Sequence, residues 1–379
     1  MAKRLKGEGS VTQRRDGRWM ARLDLGWQNG RRVRKCFYGA TAQEAQEKLL
    51  KARADLAQGL PVAVERQTVG QFLAHWLDTV RPSLAPRTFE HYEMVLRLHV
   101  VPDLGPLRLD KLSPQHVQAL LARKAAAGLS TQSVRHVRTV LRIALNQALK
   151  WGLVARNAAA LAVAPKLVRK QFRSLTPEQA RQLLDAAKGD RFEAIFTVAL
   201  SLGLRLGEII GLRWQDVDLN AGTLTVNQTI YRVRGKGVIA AAPKTERSRR
   251  TLHLPESVVS ALRSHRARQL QERLAAGRDW KDTGLVFTSR IGTPVDQRNL
   301  FRAFKALLAK AGLPDVRFHD LRHSAASLLL AQGVPMRAVM ELLGHSSIST
   351  TADIYSHVMP AMMREVADKM DAILGGRSA

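Results

Sequence analysis

Hydrophobic and polar residues alternate with a period of two over residues 19–25, near the beginning of the chain. Such alternation is typical of a half-buried β-strand. Asn29-Gly30 then favours a tight hairpin turn, and residues 31–38 form the returning strand. Residues 10–39 are therefore predicted to form a small sheet.

A different spacing of apolar residues follows, with the periodicity of helices. Thr41 and Glu44 form a capping-box pattern, which predicts a helix running to about Ala57. In the helix expected to begin at Ser130, the apolar stripe faces inward and the other face is basic. The four further predicted helices cover residues 68–79, 86–99, 113–127 and 130–151.

The second half of the chain is predicted to be mainly helical. Its first helix begins at Thr176-Pro177-Glu178, where an N-cap residue precedes a first-turn proline. Strands are expected over residues 223–230, 238–242 and 249–254, with Gly235-Lys236-Gly237 as the turn between the first two.

These elements predict a mainly α protein with small β-sheets, separated by linkers at residues 58–67 and 156–174. The expected domains are a three-stranded sheet plus helix (1–60), a helical bundle (66–157) and a mixed α/β domain (174–379).

Positive charge extends along the whole chain, which carries a formal charge of +28. Residues 1–60 hold 14 basic and 6 acidic residues, residues 61–170 hold 16 and 6, and the remainder holds 30 and 20. An excess in every segment favours contact with a polyanion along its length, since each phosphate contact releases counterions. Nucleic acid is the expected partner, in preference to a merely solvated basic surface.

The cysteine count and the apolar runs bear on the compartment. Cys36 is the only cysteine, so no intrachain disulfide can form and a reducing cytoplasm is expected. Residues 1–10 lack the apolar core of a signal peptide, and the longest apolar stretch, residues 194–204, is too short to span a bilayer. No membrane association is expected.

Arginines are concentrated in the predicted sheet and on the basic face of the helical bundle. We expect one sheet face to carry them around Trp19, as in β-ribbons that enter a DNA major groove. A charged edge that discourages aggregation, or a solvated helix face, is the alternative. The candidate DNA-contacting residues are Arg14, Arg15, Arg18, Trp19, Arg22, Arg32, Arg34, Arg87, Arg135, Arg138 and Arg142.

Five short segments of the second half carry residue types suited to phosphate chemistry. They are Gly-Leu-Arg-Leu-Gly-Glu at 203–208, Pro-Lys-Thr at 243–245, His-Asp-Leu-Arg-His at 319–323, Leu-Gly-His at 343–345, and Tyr355. Arginine forks can grip phosphate oxygens, a lysine can protonate a departing 5′-oxygen, and a phenol can attack phosphorus. Taken singly, most of these residues also fit ordinary ion pairs or packing.

A zinc site is an alternative for His319 and His323, whose spacing superficially matches the motif His-Glu-x-x-His. Asp320 is shorter than the glutamate that motif needs, and Arg322 would place a cation beside the metal. We therefore expect no metal, and interpret His323 as a buried histidine of the core or one supporting the site.

In order and approximate spacing, these positions resemble the tyrosine recombinases, particularly the phage-type integrase branch. The resemblance also covers the three-part layout of the chain. It implies that the catalytic residues are Arg205, Lys244, His319, Arg322, His345 and the nucleophile Tyr355, with Glu208 in support. Lys236 lies on the same stretch as Lys244, but the Pro-Lys-Thr context favours Lys244.

The resemblance implies a reaction in which Tyr355 forms a 3′-phosphotyrosyl bond and releases a 5′-hydroxyl. A phenol with a pKa of about 10 needs a base and a cationic surround to attack. Since one phosphoester replaces another, no ATP and no cofactor are expected. The implied function is to integrate, and to excise, a phage or other mobile element.

The resemblance also implies the partners. Residues 1–60 look like the arm-type DNA-binding domain of integrative-element integrases, so both core-type and arm-type sites on double-stranded DNA are expected. A homotetramer in the synaptic complex, an excision factor and a DNA-bending host protein would accompany them, at the nucleoid of a bacterial cytoplasm. The apolar stripe after Pro360 fits either a helix exchanged between protomers or an ordinary packed helix.

Three other functions are alternatives to this one. A type IB topoisomerase would use a similar tyrosine and cation set, but the basic sheet favours a protein that holds a second class of DNA site. A non-enzymatic DNA-binding regulator would need none of the six catalytic positions. A chromosome-dimer-resolving recombinase is closer, although short family members usually lack a domain like residues 1–60.

Overall fold

The computed structural model describes residues 9–28, 31–57, 67–167, 174–233, 235, 237–243, 248–344, 370, 371 and 374. The chain divides into two compact units, Met1–Arg169 and Lys170–Ala379.

The first unit begins with a three-stranded antiparallel sheet in the order β1-β2-β3, followed by a helix. Ala21 and Leu23 of the sheet pack with Leu49 of the helix in a small apolar core. Glu44 and Thr41 cap that helix as their spacing predicted. The elements are β1 (Ser10–Gln13), β2 (Trp19–Gln28), β3 (Arg31–Gly39) and α1 (Ala42–Ala57).

A helical bundle completes the first unit around a core that contains Phe72 and Trp76. Thr68, Ser113 and Ser130, the first residues of three predicted helices, are N-caps whose side-chain oxygens accept backbone hydrogen bonds. A π-helical turn at Leu96–Val100 continues the second helix beyond its predicted end. The bundle consists of α2 (Val69–Val80), α3 (Pro86–Val95), α4 (Val101–Leu104), α5 (Pro114–Ala126), α6 (Thr131–Lys150) and α7 (Ala158–Leu161).

The second unit is mainly helical and includes two small antiparallel sheets, ordered β4-β5-β8 and β6-β7. In chain order its elements are α8 (Pro177–Ala187), α9 (Glu193–Leu202), α10 (Leu206–Ile210), β4 (Val217–Asp218), β5 (Thr223–Val226), β6 (Thr229–Val233), β7 (Gly237–Ala241), β8 (Arg250–His253), α11 (Glu256–Ala276), α12 (Gln297–Lys310), α13 (Asp320–Ala331) and α14 (Met336–Leu343).

The single strand predicted over residues 223–230 is wrong, because two strands in different sheets occupy that stretch. Between them, Asn227 donates to Asp216 at 2.8 Å and Gln228 donates to the carbonyl of Gly211 at 2.9 Å. These two amide side chains bind loops near α10 instead of continuing a strand, so β6 is free to leave the sheet of β5 and pair with β7.

The core of the second unit surrounds α9, which is buried along almost its whole length. Phe196 of α9 packs against Phe304 and Phe318, at ring-centroid distances of 5.6 and 6.4 Å. The predicted fold class, mainly α with small antiparallel sheets, is confirmed. Within the described ranges, no helix is both long and apolar enough to cross a membrane.

Candidate active site

Arg205 lies at the junction of α9 and α10. Gly203 ends α9 in the left-handed conformation, at φ 59°, and Arg205 then precedes the first turn of α10 with an extended backbone. Its backbone N–H donates to the Glu208 carboxylate at 3.0 Å, and its Nη1 donates at 2.8 Å. The sequence predicted both residues on one helix face. Instead Arg205 is the N-cap residue, and Glu208 lies in the first turn.

Glu208 is a buried carboxylate between two guanidinium groups. Its side chain is 4% exposed, and its second contact is with Arg250 Nη2 at 3.1 Å. Burial by itself would raise the pKa of Glu208, but Arg250 and then Arg205 outweigh that effect and hold the pKa below its ordinary value. Glu208 is therefore ionised at neutral pH and orients both arginines.

Arg322 is buried in the first turn of α13, which begins just after His319. Its Nη1 donates to the carbonyl of Gly203 and its Nη2 to the carbonyl of Leu343, both at 2.7 Å. A planar guanidinium can donate in several directions at once, so Arg322 joins the end of α9 to the end of α14.

Three arginines converge on the C-terminal end of α14. The last carbonyls of a helix lack intrahelical partners and carry partial negative charge, so cations stabilise them. The three contacts are Arg250 Nε to Leu342 O at 2.7 Å, Arg322 Nη2 to Leu343 O at 2.7 Å, and Arg205 Nη2 to Gly344 O at 3.0 Å. The structure thus brings the two predicted arginines together on Leu343 and Gly344, the two residues that precede His345 in the chain.

His319 and His323 lie at the start of α13 with their rings edge to face, 5.1 Å between centroids. The His319 side chain reaches solvent, yet packing around its ring and then repulsion from Arg322 lower its pKa. A neutral imidazole beside the arginines can accept a proton at neutral pH. No group of three His, Cys, Asp or Glu residues suited to a metal ion occurs among the residues that the structure describes.

His323 is buried, and burial and then His319 lower its pKa from 6.5 to about 4. The folded protein takes up this proton less readily than the unfolded chain. The contribution of neutral His323 to the stability of the fold is therefore complete above pH 6.5 and is lost as the pH falls towards 4. We expect the free energy of unfolding to fall by roughly 3 kcal/mol across that window. Urea unfolding at a series of pH values measures it.

The control for this prediction compares His323→Gln with His253→Gln. The first should flatten the acid decline, while His91, His265 and His319 supply part of what remains, since burial also lowers their pKa values. The second removes an exposed histidine and should leave the decline unchanged. An equally steep decline in His323→Gln would contradict the assignment.

Lys244, His345 and Tyr355 lie outside the described residues. Along the chain, Lys244 falls between β7 and β8, and His345 directly follows Gly344. Their roles remain predictions.

The predicted arrangement of arginines around Trp19 on one face of the sheet is wrong. Trp19 packs on the apolar core with Ala21 and Leu23, on the face covered by α1. Because side chains alternate along a strand, Arg22 lies on the opposite face. Arg34, opposite Asp24 in the neighbouring strand, is exposed there too.

The other candidate arginines near this sheet also lie at the surface. Arg14 stacks over the ring of Tyr38, with 5.5 Å to the ring centroid, and Arg32 donates to Asp24 at 2.7 Å. Arg15 and Arg18 are exposed in the turn between β1 and β2.

Two of the four candidate arginines of the bundle make intramolecular contacts. Arg135 donates to the carbonyl of Pro165 at 3.0 Å, and Arg138 donates to that of Ala162 at 2.8 Å. They hold the segment after α7 against α6, a role that the sequence did not indicate. Arg87 and Arg142 are exposed.

Arg250 belongs to this site and was missed in the sequence. It stands next to Arg249 at the start of a short strand, and neither residue matches a distinctive motif. The signal that could have found it is Glu208, since a buried carboxylate needs cationic partners. That requirement does not say which of many arginines meets it.

The family can be decided from comparison with known proteins. The model of the Phage integrase family matches residues 173–362, and that of the Phage integrase, N-terminal SAM-like domain matches residues 68–124. An integrase of Streptomyces ambofaciens is 35% identical over 98% of this chain and 98% of its own length. The chain belongs to the phage integrase family. It is a tyrosine-type site-specific DNA recombinase.

Another relative and two solved structures agree with this membership. A protein described as tyrosine recombinase XerC-like, from Caldanaerobacter subterraneus subsp. tengcongensis, is 32% identical over 91% of this chain and 93% of its own. The Tn1549 transposon integrase in complex with a circular intermediate DNA has a TM-score of 0.68 at 22% identity, covering 79% of this chain and 99% of that one. A lambda integrase dimer bound to a COC' core site has a TM-score of 0.56 at 18% identity, covering 93% of this chain and 96% of that one. The two structures share the integrase fold.

Proposed function

We propose that this chain cuts and rejoins duplex DNA through Tyr355, integrating a phage or other mobile element and also excising it. The phenolic oxygen of Tyr355 bonds to the scissile phosphorus as the bond to the 5′-oxygen breaks. That oxygen takes a proton from Lys244 and leaves as a 5′-hydroxyl. The 3′-phosphotyrosyl bond is then attacked by the 5′-hydroxyl of the partner strand, which releases Tyr355.

The observation that carries this proposal is the convergence of Arg205 and Arg322 at the end of α14, directly before His345. Both arginines could donate to the nonbridging oxygens of a phosphate, where negative charge increases in the transition state. His319 stands beside Arg322 and would take the proton of Tyr355. These side chains supply the charge and proton transfers of the reaction.

The test is covalent capture on nicked DNA, from which the short cleaved strand diffuses away and leaves the adduct trapped. Sequencing the strands attached to the wild-type protein locates the core site, and peptide mapping identifies the attached residue. We expect Tyr355 to be joined to a 3′-phosphate. Attachment to a 5′-phosphate or to another tyrosine would overturn the proposal.

We further propose that residues 1–60 bind arm-type sites through the sheet face that carries Arg22 and Arg34. The logarithm of the affinity falls as the logarithm of the salt concentration rises, and each lost phosphate contact should make that slope shallower by about 1. The variant Arg22→Gln/Arg34→Gln should therefore bind arm-site DNA about 10-fold more weakly and cleave nicked core-site DNA at the wild-type rate. Filter binding over a salt series measures the slope.

The matched control removes the same charge from the helix on the other side of the sheet. Lys51 and Arg53 are exposed on α1, so Lys51→Gln/Arg53→Gln should leave arm-site binding within about twofold of wild type. Equal losses in the two double variants would show that net charge, and not this sheet face, decides arm binding.

The partners proposed for the reaction are core-type and arm-type DNA, an excision factor and a DNA-bending host protein, at the nucleoid of a bacterial cytoplasm. A lambda integrase has been solved as a tetramer bound to a Holliday junction. We propose four protomers in the synaptic complex of this chain as well. The mass of the complex assembled on two core sites measures that number.

A further inference from the structure

Among the described arginines of the candidate active site, Arg250 is far less exposed than Arg205. It is the first residue of β8, and its side chain is 8% exposed. Each of its three guanidinium nitrogens has an acceptor: Nε donates to Leu342 O at 2.7 Å, Nη1 to Ser248 O at 3.1 Å, and Nη2 to Glu208 Oε2 at 3.1 Å.

We propose that Arg250 is a positioning residue for DNA cleavage. It holds the Glu208 carboxylate and the end of α14 in place, so that Arg205 and Arg322 meet the scissile phosphate in a fixed geometry. The inference rests on the proposed catalytic roles of Arg205 and Arg322.

Arg205 and Arg250 differ in solvent exposure, which indicates different roles. Glu208 contacts both, but the side chain of Arg205 is 39% exposed and that of Arg250 is 8% exposed. A phosphate entering from solvent can therefore reach Arg205, whereas the donors of Arg250 point at protein acceptors. The hydrogen bond from Arg250 fixes the Glu208 carboxylate. Glu208 therefore stays in place when the Arg205 side chain binds a phosphate.

Through its contact with Leu342, Arg250 also holds the C-terminal end of α14. Arg250 satisfies a carbonyl in the last turn of the helix, where intrahelical partners are lacking. Without it, the carbonyl of Leu342 would lose its charged donor and the helix end would loosen. Arg322 donates to the next carbonyl, that of Leu343, so the position of its guanidinium depends on that end.

The experiment uses the full chain and three variants: Arg250→Gln, Arg250→Lys and the neighbouring control Arg249→Gln. Arg249 is exposed, so its substitution removes one positive charge from the same segment without touching Glu208. Core-site affinity is measured by filter binding, and the single-turnover rate of adduct formation is measured on nicked core-site DNA at saturating protein.

For Arg250→Gln we expect the adduct rate to fall about 100-fold, with the dissociation constant of the core site within about threefold of wild type; a misplaced catalytic group costs about this much. Arg250→Lys should recover part of the rate, because it keeps the charge but cannot reach three acceptors. Arg249→Gln should react at the wild-type rate.

A pH profile separates positioning from simple stabilisation. Glu208 is faced by Arg250 and Arg205, and Arg250 contributes most to lowering its pKa. Loss of Arg250 should therefore move the acid limb of the rate profile to higher pH in Arg250→Gln, while Arg250→Lys and Arg249→Gln keep the wild-type limb. The double variant Glu208→Gln/Arg250→Gln should form the adduct no more slowly than the slower of its two single variants.

Three results would overturn the inference: an unchanged rate in Arg250→Gln, parallel losses of rate and affinity, or a rate loss that matches the unfolded fraction measured by circular dichroism. If Arg250→Gln does not fold, Arg250→Lys decides by the same criteria. Absence of a Tyr355 adduct in the wild-type protein would instead overturn the proposed function itself.

Discussion

A Tyr355→Phe variant should bind core-site DNA as tightly as the wild-type protein and form no covalent adduct. Phenylalanine keeps the ring but lacks the oxygen that would bond to phosphorus, so the reaction loses its nucleophile while DNA contacts remain. We expect adduct formation on nicked DNA to fall by at least about 10³-fold, the scale typical of removing a nucleophile. Denaturing gel electrophoresis of labelled DNA measures it.

Tyr231→Phe is the matched control. It removes one hydroxyl from a tyrosine of β6 in the same unit, and it should form the adduct at the wild-type rate. A denaturation-resistant complex that persists in Tyr355→Phe would assign the nucleophile to another residue.

Replacement of Arg322 by alanine should lower stability and activity together. Its guanidinium donates to the carbonyls of Gly203 and Leu343 in a buried setting, and each buried acceptor left unsatisfied costs about 1–3 kcal/mol. Loss of its charge at the phosphate should cost a further 10²–10³-fold in adduct formation, roughly the effect of removing one donor to a developing oxyanion. Urea unfolding and single-turnover trapping measure the two effects.

Two further variants separate those effects. Arg322→Lys keeps a positive charge and should fold, but it lacks the planar fork and should remain about 10²-fold slow. Arg337→Ala removes an exposed arginine paired with Glu341 on α14, so stability should change by less than about 0.5 kcal/mol and activity should not change. Wild-type trapping by a folded Arg322→Lys would exclude Arg322 as a phosphate ligand.

Local signals in the sequence predicted most helices of the first unit and the start of α8. Thr68, Ser113 and Thr176 each accept a hydrogen bond from the third residue of the helix they precede, an interaction that needs no other part of the fold. The left-handed Gly344 at the end of α14 is equally local. These elements could be read directly because their energetics are decided within about four residues.

Predictions failed where distant residues compete for the same groups. The strand expected over residues 223–230 is divided because Asn227 and Gln228 bind residues 11 and 17 positions away. The predicted face of Trp19 is wrong because strand alternation places Trp19 with Ala21 on the core and Arg22 on the opposite face.

The sequence by itself determined the charge, the helix caps and the order of the chemical segments, and through their order the resemblance to the tyrosine recombinases. Tertiary structure alone decided how Arg205, Arg250 and Arg322 share the end of α14. Arg250 meets Glu208 across 42 positions and Leu342 across 92. Contacts of that range depend on the packing of separate elements in a buried, low-dielectric site, which no local spacing specifies.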